Sequence, residues 1–171
     1  MSRTEAKKAQ ELVRDSGGRV VGRTRLQKIG YILSASGLDD AFQFSYKHYG
    51  PFSEDLATAT REAKLLGLMK ETEQVAAWGG SYSIFQAQEP IPAEVQPARR
   101  NLANLAAQAD SVELELAATA LFLSKEGIED PWEETERRKP EKADQGRLEA
   151  AKELYQQLRA IPVPVPLPNI Q

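Results

Sequence analysis

Residues 114–123, LELAATALFL, are apolar on most sides when wound at helical spacing. A helix without a polar face cannot lie on a protein surface, so other elements must wrap it. Asp110 and Glu113 read as a capping box that opens this helix. The segment therefore predicts a core built mostly from helices, with this one near its centre. The chain has 171 residues, enough for one domain with a real core and short for two. Its 27% of charged residues leaves ample polar surface to cover such a core.

The absence of cysteine rules out disulfides, thiolate metal sites and a cysteine nucleophile, and it fits a reducing compartment. The N-terminus, MSRTEAKKAQ, lacks the apolar stretch of a secretory signal. No apolar run approaches the ~20 residues of a membrane span. A cytoplasmic location with no membrane partner is the expectation. The net charge of -3 is uneven: residues 1–50 carry nine Lys/Arg against five Asp/Glu, and residues 101–171 eight against thirteen. A basic first third suits either phosphate or an acidic protein.

Ser2 and Glu5 read as a capping box for a helix running to about Arg14, with Ala6, Ala9 and Val13 inward and Ser16-Gly17-Gly18 as its stop. Thr24 and Gln27 read as a second capping box. The helix after it places Leu26, Ile29, Gly30 and Leu33 on one face and ends at Gly37. Phe42, Phe44, Tyr46 and His48 then alternate with Gln43, Ser45 and Lys47, the pattern of a half-buried strand. Gly50-Pro51 is expected to turn the chain. Ser53 should cap the next helix, whose Glu54 and Asp55 suit its positive end and whose Leu56, Ala59, Ala63 and Leu66 face inward before Gly67. Residues 68–75 and 81–87 flank Trp78-Gly79-Gly80 as a hairpin. Helix, helix, short strand, helix, hairpin is close to the order of a winged-helix domain.

The second half predicts helices. Pro97 starts one with Leu102, Leu105 and Ala106 inward, the apolar segment follows, and Pro131 starts a third that Pro140 ends. A last helix is expected from Ala143 to Arg159, and IPVPVPLP forms an extended tail. The expected architecture is mainly α with a small antiparallel β component. It is one domain over residues 1–160, in which a winged-helix-like part (1–90) packs on a helical part (91–160), and residues 161–171 are the proline-rich tail.

Catalysis has little to work with. The chain has one histidine, His48, and none of the common nucleophile, zinc or phosphate-loop motifs. No catalytic residue, cofactor or metal ligand is predicted, and His48 is assigned a packing role. For nucleic acid, the third helix presents Ser53, Glu54 and Asp55 where base-reading or phosphate-binding side chains belong. Arg19, Arg23, Arg25 and Lys28 form the alternative patch for phosphate.

GRTRLQKIGYILSASG, FQFSYKHYGPFSEDL and LLGLMKE together resemble the YwgA-like and SocA-like (Panacea) proteins of bacteria and phages. Leu26-Gln27-Lys28, Tyr31, Tyr49-Gly50-Pro51-Phe52-Ser53 and Gly67-Leu68 carry the resemblance, which covers residues 20–75 well and the later helices loosely. It implies a helix-rich, winged-helix-like domain without known catalytic activity. Panacea-type members act as antitoxins that bind and neutralise toxin proteins. The expected function is thus a non-enzymatic protein-binding module, antitoxin-like or defence-associated, with a toxin or another bacterial or phage protein as partner. A nucleic-acid-binding regulator is the alternative. Tyr49 falls out of phase with the buried strand face, and an exposed aromatic at a corner suits an interface anchor. Lys47, Tyr49, Phe52, Arg23 and Arg25 are the predicted partner-binding residues.

Overall fold

The computed structural model describes residues 3–47 and 49–171. The predicted cap Ser2 and the packing role of His48 lie outside them. Helix α1 (Arg3–Asp15) buries Ala6, Ala9, Leu12 and Val13. It stops where Gly18 donates back to the Val13 carbonyl at 2.9 Å. A short strand unforeseen in the sequence follows, β1 (Arg19–Val21), and three residues are too few to show a period.

Helix α2 (Arg23–Ala35) starts earlier than its capping-box reading requires. Gly22 occupies the cap position with no side-chain bond, and Thr24 already lies within the first turn. Nearly all of α2 is buried, Gln27, Lys28 and Tyr31 as well as the predicted apolar face. Gly30 permits close packing here: a Cβ would stand 2.9 Å from Leu56 Cδ2 and 3.2 Å from Phe44 Cζ.

Strands β2 (Ser45–Lys47) and β3 (Gly50–Phe52) form an antiparallel hairpin, with Lys47 opposite Gly50 and Tyr46 opposite Pro51. Phe42, Phe44 and Tyr46 do turn inward and Gln43, Ser45 and Lys47 outward, although the ladder covers only 45–47. Gly50-Pro51 is therefore the start of the return strand rather than the turn itself. Ser53 caps α3 (Glu54–Leu65), its hydroxyl accepting from the Leu56 amide at 3.1 Å. Leu56, Ala59 and Ala63 face the core, and α3 lies against α1. Strands β4 (Lys70–Val75) and β5 (Ser81–Gln86) form the expected second hairpin, and β1 completes the sheet in the order β1-β5-β4.

Helix α4 (Pro97–Gln108) packs on α2, and α5 (Ser111–Lys125) takes the central place that its apolar surface predicts. Asp110 caps α5 by accepting from the Val112 and Glu113 amides. Helices α2, α6 (Pro131–Arg138) and α8 (Arg147–Arg159) surround it. Pro140 begins a further short helix, α7 (Pro140–Ala143), and the long final helix expected from Ala143 is broken. Gln145 and Gly146 are left-handed, at φ 58° and 79°, and reset the chain direction before α8. Residues 161–171 run extended but are anchored: Leu167 and Ile170 are buried, Val165 donates to the Ser36 carbonyl, and Tyr155 donates to the Pro168 carbonyl. The fold is mainly α with a small antiparallel β component. Among the described residues no helix is long and apolar enough to cross a membrane.

Leu121 sits at the middle of α5 with 1% of its surface exposed. Leu121→Ala should lower unfolding free energy by about 2–5 kcal/mol through the cavity it leaves. A loss under about 0.5 kcal/mol in urea titrations would show that α5 does not carry the core.

Candidate functional site: a groove beside the Gly-Pro hairpin

The Leu26-Gln27-Lys28 stretch and the Gly50–Ser53 stretch are joined directly. Leu26 enters the core. The Gln27 carboxamide pairs with the peptide groups of Ser53 in both directions: its amide donates to the Ser53 carbonyl at 3.0 Å, and its oxygen accepts from the Ser53 N–H at 2.8 Å. Lys28 Nζ donates to the Pro51 carbonyl at 2.8 Å. A glutamine side chain thus does for Ser53 what a neighbouring strand would do. These bonds hold the hairpin against α2 and fix the start of α3.

Between α2, α3, this hairpin and the sheet lies a groove of about 350 Å³. Tyr49, Phe52 and Phe85 supply aromatic wall, and Arg23, Lys28, Arg61 and Glu71 supply charge. Arg23, Tyr49 and Phe52 from the sequence-predicted set meet here. Tyr49 is 55% exposed. Lys47 stands just outside, paired with Glu54 at 3.0 Å and 5.9 Å above the Phe52 ring.

Two of the predicted contact residues are placed apart from the exposed set. The Arg25 guanidinium turns away from the groove and donates to the carbonyls of Val21, Ala107 and Ala109, where it closes the C-terminal end of α4. Burial lowers its pKa, and Asp110 opposes that. Lys28 is only 1% exposed, so it is no part of a surface phosphate patch. Arg19 and Arg23 remain exposed. Glu71 and Phe85 were not singled out as site residues, because the sheet brings them in from far along the chain and nothing local marks them.

The charges in the groove are held differently. Arg23 meets Glu71 at 2.8 Å, and the Ser83 hydroxyl donates to the same carboxylate at 2.6 Å. Burial works to raise the Glu71 pKa, but these hydrogen bonds and the nearby cations hold it below the ordinary value. Lys28 has no such partner at bonding distance among the described residues. Burial pushes its pKa down to about 8; Glu115 resists, while Lys139 and Lys142 add to the lowering. Glu115, itself buried, is already bound by Lys139 and Lys142, each at 2.8 Å. Lys142 also lies 4.7 Å from the centre of the Tyr49 ring. The arrangement offers aromatic surface, fixed cations and a defined shape. Among the described residues no three His, Asp or Glu side chains gather as a cation site.

No family model matches the sequence. The chain is a weak homologue of the uncharacterized protein YwgA of Bacillus subtilis (strain 168), 29% identical over 133 residues, which span 74% of this chain and 77% of that protein. This similarity is consistent with the YwgA-like resemblance of the Gln-Lys and Tyr-Gly-Pro-Phe-Ser residues.

Gln27→Met keeps the length of the side chain but strands two buried peptide groups, each costing roughly 1–3 kcal/mol. Its unfolding free energy should fall further than that of Ser53→Ala, which loses only a cap worth about 0.5–2 kcal/mol. An equal or smaller loss for Gln27→Met would show that the pairing does not hold the hairpin.

Lys28 has a folded pKa of about 8, below its ordinary 10.5. Between those values the unfolded chain binds the extra proton, so stability rises with pH. The penalty of burying the ammonium is full below pH 8 and fades above it. Denaturant titrations should gain roughly 2 kcal/mol between pH 8 and about 9.5, and Lys28→Met should abolish the gain. The buried phenols of Tyr31 and Tyr155, raised by burial, act in the opposite sense only above about pH 10. A flat wild-type profile would mean that Lys28 ionises normally.

Proposed function

We propose that this chain is a non-enzymatic protein-binding module whose groove holds a short segment of a partner protein, in the manner of an antitoxin or a defence-associated accessory protein. The observation that supports this reading is the convergence of Arg23, Tyr49 and Phe52 on one aromatic-walled groove with a cationic rim. Aromatic and arginine side chains are the commonest interface anchors, and each often contributes ~2 kcal/mol or more.

A winged-helix nucleic-acid regulator is the second reading. The order α1-β1-α2-α3-β4-β5, interrupted by the β2-β3 hairpin between α2 and α3, the β1-β5-β4 sheet and the exposed Arg19 and Arg23 favour it. Against it, exposed Glu54 and Asp55 open α3 and would repel phosphate.

Selection from a random-peptide display library on the immobilised protein tests the first reading. Selected peptides should bind at least about tenfold more weakly, ~1.4 kcal/mol, to Tyr49→Ala/Phe52→Ala, while circular dichroism stays unchanged. Arg23→Ala is the suitable companion variant, because Arg25 is committed to α4. Equal peptide binding by the aromatic variant would overturn the groove as the site. Tight, steeply salt-dependent binding of a DNA duplex that Arg19→Ala/Arg23→Ala removes would replace this reading with the second.

A further inference from the structure

We propose that the open edge of β4 is a second docking surface, on which an extended segment of another protein adds as a further strand and sets a Lys or Arg against Glu73. This surface is independent of the groove beside the Gly-Pro hairpin.

The hydrogen bonds of the sheet fix which main-chain groups are free. The Ala76 N–H donates to the Gly80 carbonyl at 2.7 Å, so that pair is a bonded one. On the other side of β5, Gly22 donates to the Ser83 carbonyl and Ala87 donates to the Gly18 carbonyl, so Ser83 and Ala87 face β1. Bonded residues alternate along an antiparallel strand. Tyr82, Ile84 and Gln86 therefore face β4, opposite Gln74, Thr72 and Lys70. The N–H and C=O groups of Glu71, Glu73 and Val75 point the other way, off the sheet. Strand β4 is last in the order β1-β5-β4, so no strand of this chain meets them. Glu73, Gln74 and Val75 are exposed. The usual blunting of an edge by a proline or a bulge is missing: β4 contains no proline, and its register with β5 is unbroken from Lys70 to Val75.

The side chains along the edge select the occupant. Glu71, Glu73 and Val75 share one face of the sheet. Glu71 is engaged by Arg23 and Ser83, whereas Glu73 is 69% exposed and lies 3.9 Å from Arg23. A second copy fits poorly. Two antiparallel registers align the outward groups of two β4 strands over most of their length; one sets Glu73 against Glu73, and the other sets Glu71 against Glu73. Like charges directly opposite destabilise a pair, and an opposite charge stabilises it. The same glutamates repel a phosphate backbone. A basic residue opposite Glu73 reverses the sign. Val75 and Trp78, 82% and 77% exposed, extend apolar surface past the end of the edge. The antiparallel segment that fits best thus reads apolar, any residue, basic, with the apolar residue opposite Val75 and main-chain bonds supplying the rest.

The test titrates the peptide acetyl-TVTKT-amide, and the same peptide with Glu in place of Lys, into the ¹⁵N-labelled full chain. The Lys peptide should bind at least about threefold more tightly. It should shift the Glu73 and Val75 amide signals and slow their hydrogen exchange by at least about threefold, because those N–H groups become bonded. Glu73→Gln should remove the preference between the peptides. Val75→Pro deletes one outward donor but spares the Gln74 bonds to β5, so it should abolish binding with the fold intact by circular dichroism. The peptide pair and the exchange rates carry the test alone if that variant does not fold. Equal binding of the two peptides would overturn the basic partner. Unchanged exchange at Glu73 and Val75, or shifts confined to Tyr49 and Phe52, would overturn the edge as the site. Self-association of the peptide-free chain with protection of the same two amides would replace the proposed partner with a second copy.

Discussion

The paired hydrogen bonds between the Gln27 side chain and the Ser53 peptide are the joint on which this fold turns. Helix α2 lies in the middle of the molecule, packed on α4 and α5 and touching the small hairpin. That hairpin has strands of only three residues and could not persist in isolation. Gln27 and Lys28 hold its return strand in place, and Ser53 starts α3 from that fixed point. The orientation of α3, and with it one wall of the groove, follows from a carboxamide that has spent itself wholly on one backbone unit.

Legibility in the sequence followed the range of the cause. The central position of α5, the Ser53 and Asp110 caps, the inward turn of Phe42, Phe44 and Tyr46 and the β4–β5 hairpin all arise from neighbours along the chain. They are visible as periodicity or as capping chemistry. Gln27 was read as part of a capping box because that is its local use, but a tertiary partner 26 positions away claimed its amide instead. The same competition hid the fates of Arg25 and Lys28. A cation near a helix start reads as surface until the fold places the ends of α4, or the Pro51 carbonyl, within its reach. The clustering of Arg23, Tyr49 and Phe52 followed from the motif, whereas the contributions of Glu71 and Phe85 depended on sheet pairing that no short window contains.

The helical half binds itself together with buried charge. Arg99 reaches Asp15 at 2.7 Å, Asp39 at 3.2 Å and the Leu38 carbonyl at 2.8 Å, tying α4 to the end of α1 and to the loop after α2. Glu115 does the same for α5, α6 and α7 through Lys139 and Lys142. The two networks differ in balance. Around Arg99 the opposing carboxylates compensate the guanidinium, as in an ordinary structural ion pair. Around Glu115 two lysines share one buried carboxylate.

Pro51 has no N–H to offer, and its carbonyl is occupied by Lys28; the peptide groups of Ser53 are occupied by Gln27. The edge of the return strand that faces α2 is therefore sealed against any further strand. A visiting peptide cannot join there by backbone pairing, which would accept many sequences in the same register. Under the proposed reading, a peptide lying along this edge would be recognised through its side chains, so the shape and charge of a few residues would set which sequences fit.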